Sequence, residues 1–167
     1  MRRILRRREV VEDDWRLAGE EGGDDAGSLA LILPFAEFRT HIAKWRAYPG
    51  RLGVRLSPAD AAEDLAEDIQ RLSLVAAEFP TPGEGRGYTQ GRLLRSRLQF
   101  KGELRAVGAA VKQDLLFILA RCGFDSFELA AGQKVEEALR ALERYSVAYQ
   151  PAEPVPSIRQ QRYAVAG

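Results

Sequence analysis

Apolar residues along this chain alternate between two spacings. Short, nearly continuous runs at 29–33, 52–56, 74–79, 104–107 and 124–129 have the length and composition of strands in a covered sheet. Between them the apolar positions recur at three and four residues, the period of a helix with one inward face. Phe35, Phe38, Ile42 and Trp45 predict a helix that stops before Pro49 and Gly50. Ala62, Leu65, Ile69 and Leu72 predict the next, with Ser57 as N-cap and Pro58 at the first helical position. Leu93, Leu94 and Leu98 mark a third helix from Tyr88 onward. Val111, Leu115, Ile118 and Leu119 mark a fourth that Gly123 closes, and Val135, Leu139 and Leu142 a fifth.

Five strand-helix units in strict alternation predict one α/β domain on a parallel sheet of about five strands with right-handed crossovers. Two arrangements fit this pattern. One is an open flavodoxin-like sheet with helices on both faces; the other is a curved partial (β/α)-barrel with strands in chain order. Glu78, Arg105 and Glu128 fall inside or at the ends of three successive strands, where a fully covered parallel sheet is nearly all apolar. If those strands are neighbours, Arg105 can pair with both carboxylates, which leans toward a concave, barrel-like face. The domain is expected over 28–150. Residues 1–27, basic and then acidic and glycine-rich, predict a flexible N-terminal arm with Val10, Val11 and Trp15 as its apolar groups. Pro151, Pro154 and Pro156 predict a Pro-rich C-terminal tail over 151–167.

Composition narrows the function classes. A chain of 167 residues, 46% hydrophobic, suffices for one real core. With 25 Lys and Arg against 24 Asp and Glu, there is no bulk charge to recruit nucleic acid or an anionic membrane. No stretch approaches the ~20 apolar residues of a membrane span. Cys122, the only cysteine, leaves no internal disulfide and no CxxC motif, so a reducing, cytoplasmic compartment is the expectation. Placed just before a helix-ending glycine, Cys122 reads as a structural thiol with a raised pKa. His41, the only histidine, has no second ligand with which to hold a metal.

Two constellations carry candidate chemistry. The loop Gly83-Glu84-Gly85-Arg86-Gly87 opens a helix, so its amides together with Arg86, Tyr88 and Arg92 could bind an oxyanion at Gly85, Arg86 and Gly87. The alternative is a turn whose glycines serve positive φ angles and whose arginines are solvated. Glu78, Arg105 and Glu128 could act as an acid/base and anion-orienting set, or form a structural ion-pair network. Beyond these, Arg92, Arg95, Arg97 and Lys101 form a basic helix face, read as solvated or as a docking surface for an acidic protein rather than for nucleic acid.

The ordered segments Phe79-Pro80, Gly85-Arg86-Gly87-Tyr88-Thr89, Arg92-Leu93-Leu94-Arg95, Gly102-Glu103-Leu104-Arg105-Ala106-Val107-Gly108 and Arg121-Cys122-Gly123-Phe124-Asp125 resemble a bacterial domain-of-unknown-function family, number nine hundred and thirty-four. The chain departs from the family pattern at Glu84, Thr89 and Ala109, where Asp, Ser and Asp are usual. Members are commonly labelled probable oxidoreductases of sulfite reduction. The resemblance therefore implies an accessory or oxidoreductase-associated protein of assimilatory sulfate and sulfite reduction, with sulfite reductase as docking partner. No flavin, haem, iron-sulfur or complete nicotinamide motif names a cofactor. Two other readings of the residues stand beside it: an enzyme that binds a small anion with the glycine-rich loop and its Arg and Glu residues, and a non-catalytic homodimer whose partner completes the sheet.

Overall fold

The five apolar runs become strands, and three further strands come from the N-terminal residues. In the computed structural model, which describes residues 2–19 and 30–143, these are β1 (Arg3–Arg6), β2 (Glu9–Glu12), β3 (Arg16–Leu17), β4 (Ala30–Pro34), β5 (Arg51–Leu56), β6 (Leu74–Glu78), β7 (Glu103–Val107) and β8 (Ser126–Phe127). They form one sheet in the order β2-β1-β8-β7-β6-β5-β4-β3. From β3 to β8 all neighbours are parallel and follow chain order, while β1 joins β8 and β2 antiparallel. The architecture is a mixed α/β half-barrel, so chain-order strands replace the flavodoxin alternative.

The predicted flexible arm is corrected over 2–19. There β1 and β2 make a hairpin, β3 adds to the far edge, and Trp15 is buried at 5% exposure. Trp15 lies against the inner face, where a Cβ on Gly53 would come within 3.2 Å of its ring, and the Arg51 guanidinium sits 5.0 Å from the ring centroid. The predicted tail at 151–167 lies outside the described residues.

The helices are shorter than their stripes. The first breaks at His41 into α1 (Phe35–Thr40) and α2 (Ile42–Arg46). The stripe from Ala62 to Leu72 does not make one helix but two 3-10 turns, Ala62–Leu65 and Ile69–Arg71. Its start is claimed by other bonds: Ser57 N–H donates to the Asp60 carboxylate at 2.7 Å, and the Gln90 amide donates to the carbonyls of Ser57 and Asp60, both at 2.8 Å. Farther along, the buried Asp68 accepts from Arg46 at 2.7 and 2.9 Å. Helix α3 (Arg86–Arg92) runs on as a π-helical turn, Leu93–Arg97, closed by the Leu98 N–H on the Leu93 carbonyl at 3.0 Å. Then come α4 (Leu116–Arg121) and α5 (Val135–Glu143). Gly123 is at φ +100, as a helix-ending glycine should be.

Strand alternation sorts the side chains by face. Leu31, Leu33, Val54, Val75, Ala77, Leu104 and Ala106 meet the helices in the main core. Ala30, Ile32, Leu74, Ala76 and Val107 form a second, smaller cluster with Trp15 on the concave face. On β5, β6 and β7 the charged residues share that concave face.

Candidate functional site

The site is built from the concave face upward. On β7, Glu103 and Arg105 are two residues apart and so point to the same side of the strand. Arg105 is completely buried. Its Nε and Nη2 donate to Glu103 Oε1 at 2.9 and 2.7 Å, and its Nη1 donates to Asp13 Oδ2 at 2.9 Å. The same Asp13 oxygen accepts from Arg2 at 3.1 and 2.7 Å, and Arg2 donates onward to Glu128 at 2.9 Å. Arg6 stands 3.5 Å from Glu103. Three arginines thus alternate with three carboxylates in one neutral network. It continues through Asp14, which pairs with Arg51. Burial works against the Asp14 charge, but the hydrogen bond and charge of Arg51 outweigh it and hold the carboxyl below its ordinary value.

The expected direct pairing of Arg105 with Glu78 and Glu128 is corrected by this geometry. Glu128 reaches Arg105 only through Arg2 and Asp13. Glu78, at the carboxyl end of β6, accepts instead from Arg55 Nη2 at 2.8 Å, a pair about a third exposed on both sides. The partner sits two residues beyond Gly53 on the same face of β5. Sequence reasoning passed over Glu103 and Arg55, although period-two alternation was enough to put each on the concave face. For Asp13 and Arg2 no local signal existed, since they reach Arg105 and Glu128 from 92 and 126 residues away along the chain.

The glycine-rich loop keeps its position at the opening of α3, but its chemistry is largely internal. Glu84 Oε1 accepts the Arg86 backbone N–H at 3.0 Å and the Arg86 Nε at 3.1 Å. The helix start is thus served by its own carboxylate, which also offsets the nearest arginine. That backbone N–H, ahead of the Arg86 charge, lowers the Glu84 pKa. A lowered folded-state pKa means that the stabilisation is present above the unfolded value and is lost as pH falls through the folded one. An NMR titration should therefore find Glu84 below the ordinary glutamate range, and the stability advantage of wild type over Glu84→Gln should shrink as pH falls below that range and be gone once it has passed the folded value. A normal Glu84 titration would remove the cap.

None of Gly83, Gly85 and Gly87 uses a positive φ, which corrects the turn-based reading of these glycines. Gly87 is needed for packing: a Cβ there would lie 2.5 Å from the Phe79 ring. Tyr88 stacks edge-on against Phe79 at 5.1 Å, and burial, followed by the Cys122 and Asp114 charges, pushes its phenol pKa up. Burial likewise raises the Cys122 thiol, against the pull of Arg92 and Arg121. Arg92 is exposed on α3. Arg95 leaves the expected basic face: it turns inward to donate to the carbonyls of Gly123, Phe100 and Gly102 at 2.9, 2.8 and 2.9 Å. Among the described residues, no group of three or more His, Cys, Asp and Glu is placed to hold a metal ion, and no helix is long and apolar enough to cross a membrane.

With this geometry in hand, comparison by family places the chain. The model of a family described as bacterial protein of unknown function (DUF934) matches residues 53–157. The chain belongs to that family. No curated protein matches it. The matched segment begins within β5, so in this DUF934 member Arg105 takes one partner, Glu103, from inside the segment and the other, Asp13, from the hairpin that precedes it.

Proposed function

We propose that this protein is an accessory factor of assimilatory sulfite reduction that docks onto an acidic surface of the reductase through the cationic side of the helix at 86–97. The pathway comes from the label attached to the family that the chain resembles. The mode of action is supported by one observation: along 86–101 the charges presented to solvent are all cations, while the charges of the buried inner face are matched among themselves. Arg86, Arg92, Arg97 and Lys101 are exposed, and no Asp or Glu occurs between Gly85 and Gly102. Such a face favours encounter with an acidic partner and makes binding salt-dependent. Arg105, by contrast, is sealed between two carboxylates and has no surface to offer a substrate.

The test is co-purification of sulfite reductase with the full-length chain at low and high salt. Capture that weakens with salt, and about tenfold or more in Arg92→Glu/Arg97→Glu, is expected. Failure to capture the reductase at low salt, or capture indifferent to the double variant, overturns the reading.

A second reading keeps one foothold. The Arg55–Glu78 pair is half-buried at the carboxyl ends of β5 and β6, the edge at which parallel α/β sheets place their ligands. A small-anion enzyme would work from this pair rather than from Arg105. It predicts that Arg55→Ala folds normally yet abolishes growth on sulfite.

A further inference from the structure

At the opposite end of the sheet, where β7 and β8 begin, lies a cavity of about 530 Å³. That is the size of small-molecule sites. Phe100, Phe124, Phe127 and Leu142 give it an apolar floor. Around this floor stand Arg7, Arg8, Arg95 and Lys101, with Asp125 as the only carboxylate among the described lining residues. In a chain of 25 basic and 24 acidic residues, four against one is a local excess. Asp125 is spent internally: its Oδ1 accepts the Leu104 N–H at 2.8 Å and lies 3.2 Å from Arg95 Nη2. Arg95 builds the wall through its three carbonyl bonds, and Arg7 holds only a long, exposed pair, its Nε 3.7 Å from Asp125 Oδ2, so Arg8 and Lys101, joined by Arg7 on release of that pair, are the cations able to reach a ligand.

An independent observation points to the same place. Among the described residues, the non-glycine positions with positive φ are Arg7 at 49°, Arg8 at 64° and Gln99 at 54°, and all three line this cavity. A two-residue hairpin turn between Arg6 and Glu9 calls for positive φ at both central positions, and Asn-Gly meets that need with little strain. Two arginines meet it poorly. Strain kept at a cavity rim, where the side chains carry charge, is the pattern of a binding site that costs local stability.

We propose that this cavity binds a small organic anion, an acidic group on a flat apolar body, with the body on the phenylalanine floor and the acid held by Arg7, Arg8 and Lys101. Inorganic sulfate or phosphate would leave the floor unused and binds weakly or not at all. This site is separate from the docking face and stands or falls without it.

The test uses the full-length chain and an aromatic sulfonate, 8-anilinonaphthalene-1-sulfonate, followed by fluorescence and by NMR. One probe per chain is expected, with shifts centred on Phe100, Phe124 and Arg8, and with clear preference over the uncharged N-phenyl-1-naphthylamine. The decisive variant is Arg7→Asn/Arg8→Gly, which installs the favoured turn. It should raise the melting temperature by a few degrees while weakening the probe about tenfold or more. Lys101→Glu should weaken it in the same direction without the stability gain. Unchanged affinity in the turn variant, equal binding of the uncharged analogue, or shifts centred elsewhere would each overturn the proposal.

Discussion

Replacing Arg105 with alanine is expected to destabilise the fold by about 3–5 kcal/mol, the usual consequence of removing one member of a buried ion pair. The size follows from what is left behind. Asp13 and Arg105 are 1% and 0% exposed in their side chains, and Glu103 is 10% exposed. Without the guanidinium, Glu103 keeps Arg6 at 3.5 Å as its cation, and Asp13 keeps the partly exposed Arg2 and the Trp15 N–H at 3.3 Å. A variant that removes the buried cluster as a whole, Arg105→Met with Asp13→Met and Glu103→Met, should recover most of the loss, because it strands no charge inside. Denaturant unfolding of the two variants decides the matter. If Arg105→Ala unfolds within about 1 kcal/mol of wild type, the network does not hold the inner face together. The result also bears on interpretation in vivo: loss of function in an Arg105 variant would report a weakened fold rather than a missing catalytic group.

The second large effect is expected at Gly108, where alanine should cost about 2–6 kcal/mol, combining backbone strain with overpacking. Gly108 has φ +116, a conformation that side chains rarely accept. A Cβ there would lie 2.5 Å from the Phe79 carbonyl oxygen. That oxygen cannot retreat, since it accepts the Ala110 N–H at 3.0 Å while the Phe79 N–H donates to Val107 at 2.7 Å. The corner that joins the ends of β6 and β7 is therefore fixed on both sides. Gly83→Ala serves as the comparison: nothing lies within 4 Å of its added methyl, and its unfolding midpoint should hardly move. Equal behaviour of the two variants would contradict the packing account.

What could be read in advance divides along physical lines. The runs that became β4 to β8 were legible because strands covered on both faces must be apolar whatever their neighbours. Arg3-Ile4-Leu5-Arg6 and Glu9-Val10-Val11-Glu12 were not, since each has only two apolar residues between charges and the Arg7-Arg8 turn lacks the Asn-Gly signature. The stripe from Ala62 to Leu72 had the right period, and only the distant Gln90 and Arg46, which engage the backbone of Ser57 and Asp60 and the side chain of Asp68, decide against a continuous helix. Charge on the inner strands was visible as an anomaly, and it did mark the concave face. Partner choice was not visible, because a guanidinium takes whichever carboxylate the tertiary fold delivers, and the fold delivered Asp13. At the loop, the Glu84 cap was two residues from the amide it serves, a short-range pattern that the run of glycines obscured.

The position of the N-terminal hairpin carries a consequence for biogenesis. Strand β1 finds its inner neighbour only in β8, and Arg2 finds Glu128 across 126 intervening steps of chain. During synthesis the hairpin leaves the ribosome well before the strand it joins and is thus among the last parts of the sheet to settle, waiting until β8 has emerged. Meanwhile its unpaired edges are what a chaperone would meet, and a pause in translation before Ser126 would lengthen that exposure.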